Sequence, residues 1–105
     1  MIGQHHQFHY YHQGKSDWGE ERYFKITRKI YEDLEARLAQ SKFLANDKYS
    51  IADIATWSWI ARHKRHDIGL NNFENLSRWF VEIAERPAVV KGFKALNKDA
   101  EIDFP

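Results

Sequence analysis

A chain of 105 residues with a net charge of +1 has room for one domain and one modest core, and this balance gives no global pull toward nucleic acid or an anionic membrane. The absence of cysteine excludes a disulfide framework, a thiolate metal site and a cysteine nucleophile within these residues. No apolar run approaches the roughly 20 residues that span a bilayer, and Met1-Ile2-Gly3-Gln4-His5 has neither the basic region nor the apolar stretch of a signal peptide, so a cytoplasmic protein without membrane contact is expected.

In chain order, residues 1 to 12 read as a helix that starts abruptly. Ile2, His5, His6, Phe8, His9, Tyr10, Tyr11 and His12 put rings on several faces, and no cap precedes them, so the first helix reads as truncated. Gly14 stops it, and Asp17 with Glu20 reads as a capping box for the next helix. From Asp17 to about Gln40, Tyr23, Ile26, Ile30, Leu34 and Leu38 recur at three and four residues as a core-facing stripe, supported by Phe24 and Tyr31. Ser41 to Lys48 is a linker that tucks Phe43 and Leu44 inward and turns at Asn46-Asp47.

Ser50 then caps a helix expected to run to about Lys64. Its hydroxyl and the Asp53 carboxylate form a reciprocal box, with Asp in place of the usual Glu, and Tyr49 and Ile54 are spaced as a hydrophobic staple. Ile51, Ile54, Ala55, Trp57 and Ile60 make this helix apolar nearly all round, which marks it as the buried central helix, with Ile54 and Trp57 among its least exposed residues. A carboxylate spent on its own helix terminus is poorly placed for acid–base work, so Asp53 is read as structural. Asn71 or Asn72 caps the next helix, whose stripe is Phe73, Leu76, Trp79, Phe80 and Ile83. Arg86 before Pro87 ends that helix, and Pro87 opens a last one with Val89, Val90, Phe93 and Leu96 on its buried face. Residues 98–105 read as a tail. The fold class is all-α: one domain, 1–105, of about five helices around the buried central one.

Two local patterns carry possible chemistry. His5, His9 and His12 lie at helical spacings of four and three, close enough to meet on zinc or nickel. No carboxylate stands beside them in the sequence, so cleft lining or packing is the better reading and no metal site is expected. The basic run Arg62-His63-Lys64-Arg65-His66 resembles a phosphate-binding patch, but it is short, has Asp67 beside it and falls at a helix end whose dipole it complements, so it reads as a solvated terminus and no nucleic-acid partner is expected.

Tyr49-Ser50-Ile51-Ala52-Asp53-Ile54-Ala55, followed by Glu85-Arg86-Pro87-Ala88-Val89, resembles the C-terminal helical domain of cytosolic glutathione transferases. Gly3-Gln4-His5-His6 with Phe8, and Glu21-Arg22-Tyr23, are similar to the bacterial Nu class and its fungal nitrogen-regulator relatives, and the resemblance covers roughly residues 1 to 97. It implies a central helix held by the Ser50–Asp53 box, with the thioredoxin-like domain that holds and activates glutathione lying outside these residues. Arg22 would meet a glutathione carboxylate, a task suited to a planar, permanently charged fork, while Gln4, Phe8 and Tyr11 would line the substrate cleft. No catalytic residue is expected here. The resemblance implies the electrophile-side, dimer-forming half of a glutathione transferase or glutathione-dependent disulfide oxidoreductase, inactive alone, with a thioredoxin-like domain and a second copy as partners. The competing expectation is a stand-alone helical adaptor, since similar domains are appended to translation factors and synthetases.

Overall fold

The computed structural model describes residues 2–95 and 97–105, and the chain is all-helical among them. Helix α1 (Ile2–His6) runs into a π-helical turn (Gln7–Tyr11). Then come α2 (Asp17–Gln40), α3 (Ile51–Ile60), a single-turn α4 (His63–His66), α5 (Glu74–Ala84) and α6 (Pro87–Phe93). The linker after α2 turns through one isolated bridge between Phe43 and Asn46, with Asn46 at a φ of 76°. Among the described residues no helix is long and apolar enough to cross a membrane.

Local signals fix most boundaries. Gly14 has a φ of 80°, open to it without the Cβ penalty, and ends the first helical segment. The cap of α2 is Ser16, one residue before the expected Asp17: its hydroxyl accepts from Gly19 N at 3.0 Å, and Glu20 is left free to face His9. The box on α3 forms as read, with Ser50 N donating to Asp53 Oδ2 at 2.9 Å. Pro87 sits in the first turn of α6 behind an extended Arg86.

The core lies between α2, α3 and α5. Leu76, Trp79, Phe80, Ile83 and Ala84 of α5 are buried, as its stripe required. Val89 and Phe93 of α6 pack against this core, while Leu96 lies outside the described residues. On α2 the deepest line runs through Thr27, Tyr31 and Leu38, and Tyr23, Ile26 and Ile30 flank it half-buried.

Three further expectations change. The helix expected from Ser50 to Lys64 stops at Ile60 and resumes as α4, which turns His63 and His66 inward. Their spacing of three puts both on the inner side of that turn, so the basic run is only partly solvated. Ile54 is 53% exposed, whereas Trp57 is buried as expected. Asp53, Trp57 and Ile60 form the inner side of α3, Ile54 flanks it, and Ile51, Ala55 and Trp59 fall on the opposite arc; apolarity all round therefore overstated the burial. Finally, α5 takes no cap from Asn71 or Asn72. Its N-cap position is Phe73, and the Glu35 carboxylate of α2 supplies the acceptors instead, receiving Asn75 N at 3.0 Å and Leu76 N at 2.6 Å.

Candidate functional site

Two of the four side chains expected to contact ligand, Phe8 and Arg22, meet where the first helical segment lies along the start of α2. Gly19 is buried, and a Cβ there would come within 3.1 Å of Phe8 Cε1, so the missing side chain lets the Phe8 ring lie against the helix. Phe8 stacks on Tyr23 with centroids 5.6 Å apart and planes 6° from parallel. The Arg22 guanidinium stands 5.6 Å over Trp18 and 6.0 Å over Tyr23. These are distances at which a cation is attracted to a ring face. Arg22 is exposed and has no carboxylate partner among the described residues.

Phe8 and Arg22 are thus brought onto one aromatic platform. Gln4 and Tyr11 are both exposed, but Tyr11 joins a different group: it packs on His6 at 4.9 Å and on Tyr10 at 5.0 Å, with the Arg65 guanidinium 4.5 Å over Tyr10. Trp18 and Tyr23 carry the Arg22 contact yet were not read as site residues. The signal was available, since Trp18 lies four residues before Arg22 on one helix.

The histidines do not converge on a point. His5 Nε2 donates to the His66 carbonyl at 2.8 Å, and the Tyr31 hydroxyl donates to His66 Nδ1 at 2.7 Å. His9 holds the Glu20 carboxylate at Nδ1 and the Asp67 carboxylate at Nε2, each at 2.8 Å. Only the imidazolium donates to both at once. Burial lowers His5 and His6 from the usual histidine range and pushes His66 down to about 3, with neighbouring imidazoles adding to the His66 shift. Burial also pushes the Tyr31 hydroxyl upward.

Ser50 and Asp53 are structural. Besides its own cap, Asp53 Oδ1 accepts from Leu44 N at 3.0 Å and from the Trp79 indole N–H at 2.8 Å, which ties linker and α5 to the head of α3. A separate groove of about 910 Å³ opens beside α3, with Ile54, Trp57, Val89 and Phe93 among its apolar walls and Arg62 and Arg65 among its charged ones.

The sequence pattern of the family described as glutathione S-transferase, C-terminal domain, matches residues 10–87. Similar proteins include the disulfide-bond oxidoreductase YfcG of Escherichia coli (strain K12), 36% identical over 88 residues that cover 84% of this chain and 41% of that protein. The disulfide-bond oxidoreductase YghU of the same organism is 31% identical, covering 80% of this chain and 32% of its own length. Protein URE2 of Candida glabrata is 29% identical, with 90% and 36% covered. The chain therefore spans less than half the length of these relatives. With its all-helical fold and a family match over most of its length, the chain belongs to the glutathione S-transferase C-terminal domain family.

Proposed function

We propose that these residues are the helical half of a Nu-like, glutathione-dependent disulfide oxidoreductase or transferase of the cytoplasm, and that Arg22 receives a glutathione carboxylate. The observation that carries this reading is an exposed guanidinium bedded on Trp18 and Tyr23 with no carboxylate of its own. A planar fork held by rings is pre-organised for a carboxylate. The similarity to YfcG and YghU, both named disulfide-bond oxidoreductases, supports the reaction class. Phe8 flanks the platform, and in this reading Gln4 and Tyr11 line the substrate side of the complete protein. The fit to glutathione is one-ended: a reaction also needs its thiol held, deprotonated and aimed, and no described residue is placed for that. A thioredoxin-like domain supplies it, and a second copy completes the dimer.

The test is calorimetric titration with glutathione and a disulfide-reduction assay. Both are run on this chain alone and on the chain joined to the thioredoxin-like domain of a Nu-like transferase, each with and without Arg22→Ala. Weak binding and no turnover alone, with binding in the joined protein that Arg22→Ala weakens, is the expected result. Turnover by this chain alone refutes the one-ended site. No effect of Arg22→Ala in the joined protein removes Arg22 from the ligand contact.

A further inference from the structure

The first helical segment is held by a kind of contact used little elsewhere in the fold. From Ile2 to Tyr11 the only buried residues are His5 and His6, and the π-helical part buries none. Its polar anchors are imidazoles as well: His5 to the His66 carbonyl, and His9 to Glu20 and Asp67. Against this, α5 is seated by Leu76, Trp79, Phe80 and Ile83, none of which titrates.

We propose that residues 2–11 form a pH-released arm, held against α2 and α4 while His5, His6 and His66 are neutral and let go when these buried imidazoles take up protons. Buried His5 Nδ1 and His6 Nδ1 have no hydrogen-bond partner, so nothing beside them offers an acceptor to an added proton, and His66 Nε2 is unpartnered in either protonation state. The three rings are also close, with His66 5.7 Å from His5 and 5.9 Å from His6, so each proton raises the cost of the next.

The surrounding charges have both signs. His5 faces His9 on its own segment, Glu20 on α2 and Asp67 after α4, and the two carboxylates favour its charged form. His6 faces Arg62 and Arg65, which oppose it. His66 faces His63 and His9 besides His5 and His6, and all four oppose it. The His9 clasp works in the contrary sense, since protonation lets it grip both carboxylates. That clasp is one side chain with two contacts, and its Glu20 and Asp67 partners are 26% and 70% exposed, against three fully buried or nearly buried rings. The buried cluster therefore sets the direction. Each histidine held neutral shifts the balance toward release by up to tenfold per pH unit below its ordinary range. The release is independent of the proposed function; only its consequence, removal of Gln4, Phe8 and Tyr11 from the cleft, rests on that reading.

The experiment is amide and imidazole NMR of this chain between pH 7.5 and 5.0. Amides of residues 2–11 should leave their folded positions while those of Leu76 to Ala84 stay, with His5, His6 and His66 protonating over the same span. His6→Phe keeps a ring against Tyr10, Tyr11 and Trp59 without a titrating nitrogen, so release should move to lower pH. His9→Gln removes the opposing clasp and should move it to higher pH. Simultaneous loss of the arm and α5 amides, release while the three rings remain neutral, or a His6→Phe midpoint unmoved from wild type overturns the proposal. If His6→Phe does not fold at pH 7.5, the wild-type ring and amide titrations decide it alone.

Discussion

Replacing Asp53 with Ala removes more than a helix cap. The carboxylate is fully buried and accepts from Ser50 N, Ser50 Oγ, Leu44 N and Trp79 Nε1. Loss of an N-cap acceptor costs about 1 kcal/mol. The Trp79 indole N–H is then left in the core without an acceptor, at about 1 to 3 kcal/mol, and the Leu44 N–H loses a charge-assisted bond worth about 1 kcal/mol more. Allowing for non-additivity, Asp53→Ala should cost about 3 to 5 kcal/mol. That is a large share of the roughly 5 to 15 kcal/mol that holds a typical domain. Urea denaturation followed by far-UV circular dichroism measures it. Asp53→Asn keeps one carbonyl for Trp79 and Leu44 but presents an amide N–H₂ to the Ser50 donors, so it should fall between Ala and wild type. The decisive measurement is the cycle with Trp79→Phe, in which Asp53→Ala should cost about 1 to 2 kcal/mol less because the stranded indole is gone. A cost near 1 kcal/mol for Asp53→Ala, or a coupling below about 0.5 kcal/mol, would refute the claim that one carboxylate joins three elements.

The remaining predictions concern other joints. Glu35→Gln turns one of the two acceptors at the head of α5 into a donor, and should lower stability by about 1 to 2 kcal/mol in the same denaturation assay; an unchanged midpoint would show that α5 caps itself. His66 has its folded-state pKa lowered to about 3, so its contribution is complete above the ordinary value near 6.5 and is lost as pH falls toward 3. From pH 7.5 to 5.5 that loss is on the order of 1 kcal/mol, His5 and His6 act in the same direction, and His66→Gln should flatten the profile. Ile51, Ile54 and Trp59 expose an apolar arc on α3 and Trp18 stands 71% exposed, so the chain should self-associate at micromolar concentration. Sedimentation should show this and also its loss in Ile51→Glu/Ile54→Glu; a wild-type monomer would count against it.

What was legible in the sequence was local. The Ser50–Asp53 box, the Gly14 stop, Pro87 in a first turn and the stripe of α5 each depend on residues within about one turn of each other, and each appears in the fold. Two of the misses are long-range, whereas the one-residue error in the α2 cap and the early stop of α3 are local. Glu35 caps α5 from forty residues away, and His5 reaches the backbone of a residue sixty-one positions on. Periodicity says that a face is apolar without saying what covers it, which is why Ile54 and Trp57, three residues apart, have opposite fates. At the candidate site, Arg22 and Phe8 share Tyr23 because a glycine at position 19 admits the ring. Gln4 and Tyr11 lie outside that stack; the resemblance grouped them with Phe8 without foreseeing the π-helical turn that carries Phe8 and Tyr11.

Polar side chains act mainly between elements in this fold, and they divide it into two kinds of joint. Asp53 and Glu35 are carboxylates that satisfy backbone or indole N–H groups at the heads of α3 and α5, where apolar packing already supplies the burial. Their removal weakens a core that Trp79, Phe80 and Ile83 still hold together. The histidines take the place of such packing at the first segment, where no aliphatic side chain is buried. A joint made of apolar area is nearly indifferent to pH, whereas one made of buried imidazoles is strongest only while they are neutral. The aromatic platform proposed to receive ligand spans this division: Arg22, Trp18 and Tyr23 stand on α2, which the core secures, and Phe8 comes from the segment that the histidines secure. Loss of the imidazole joint would therefore leave the cation in position and take away the ring beside it.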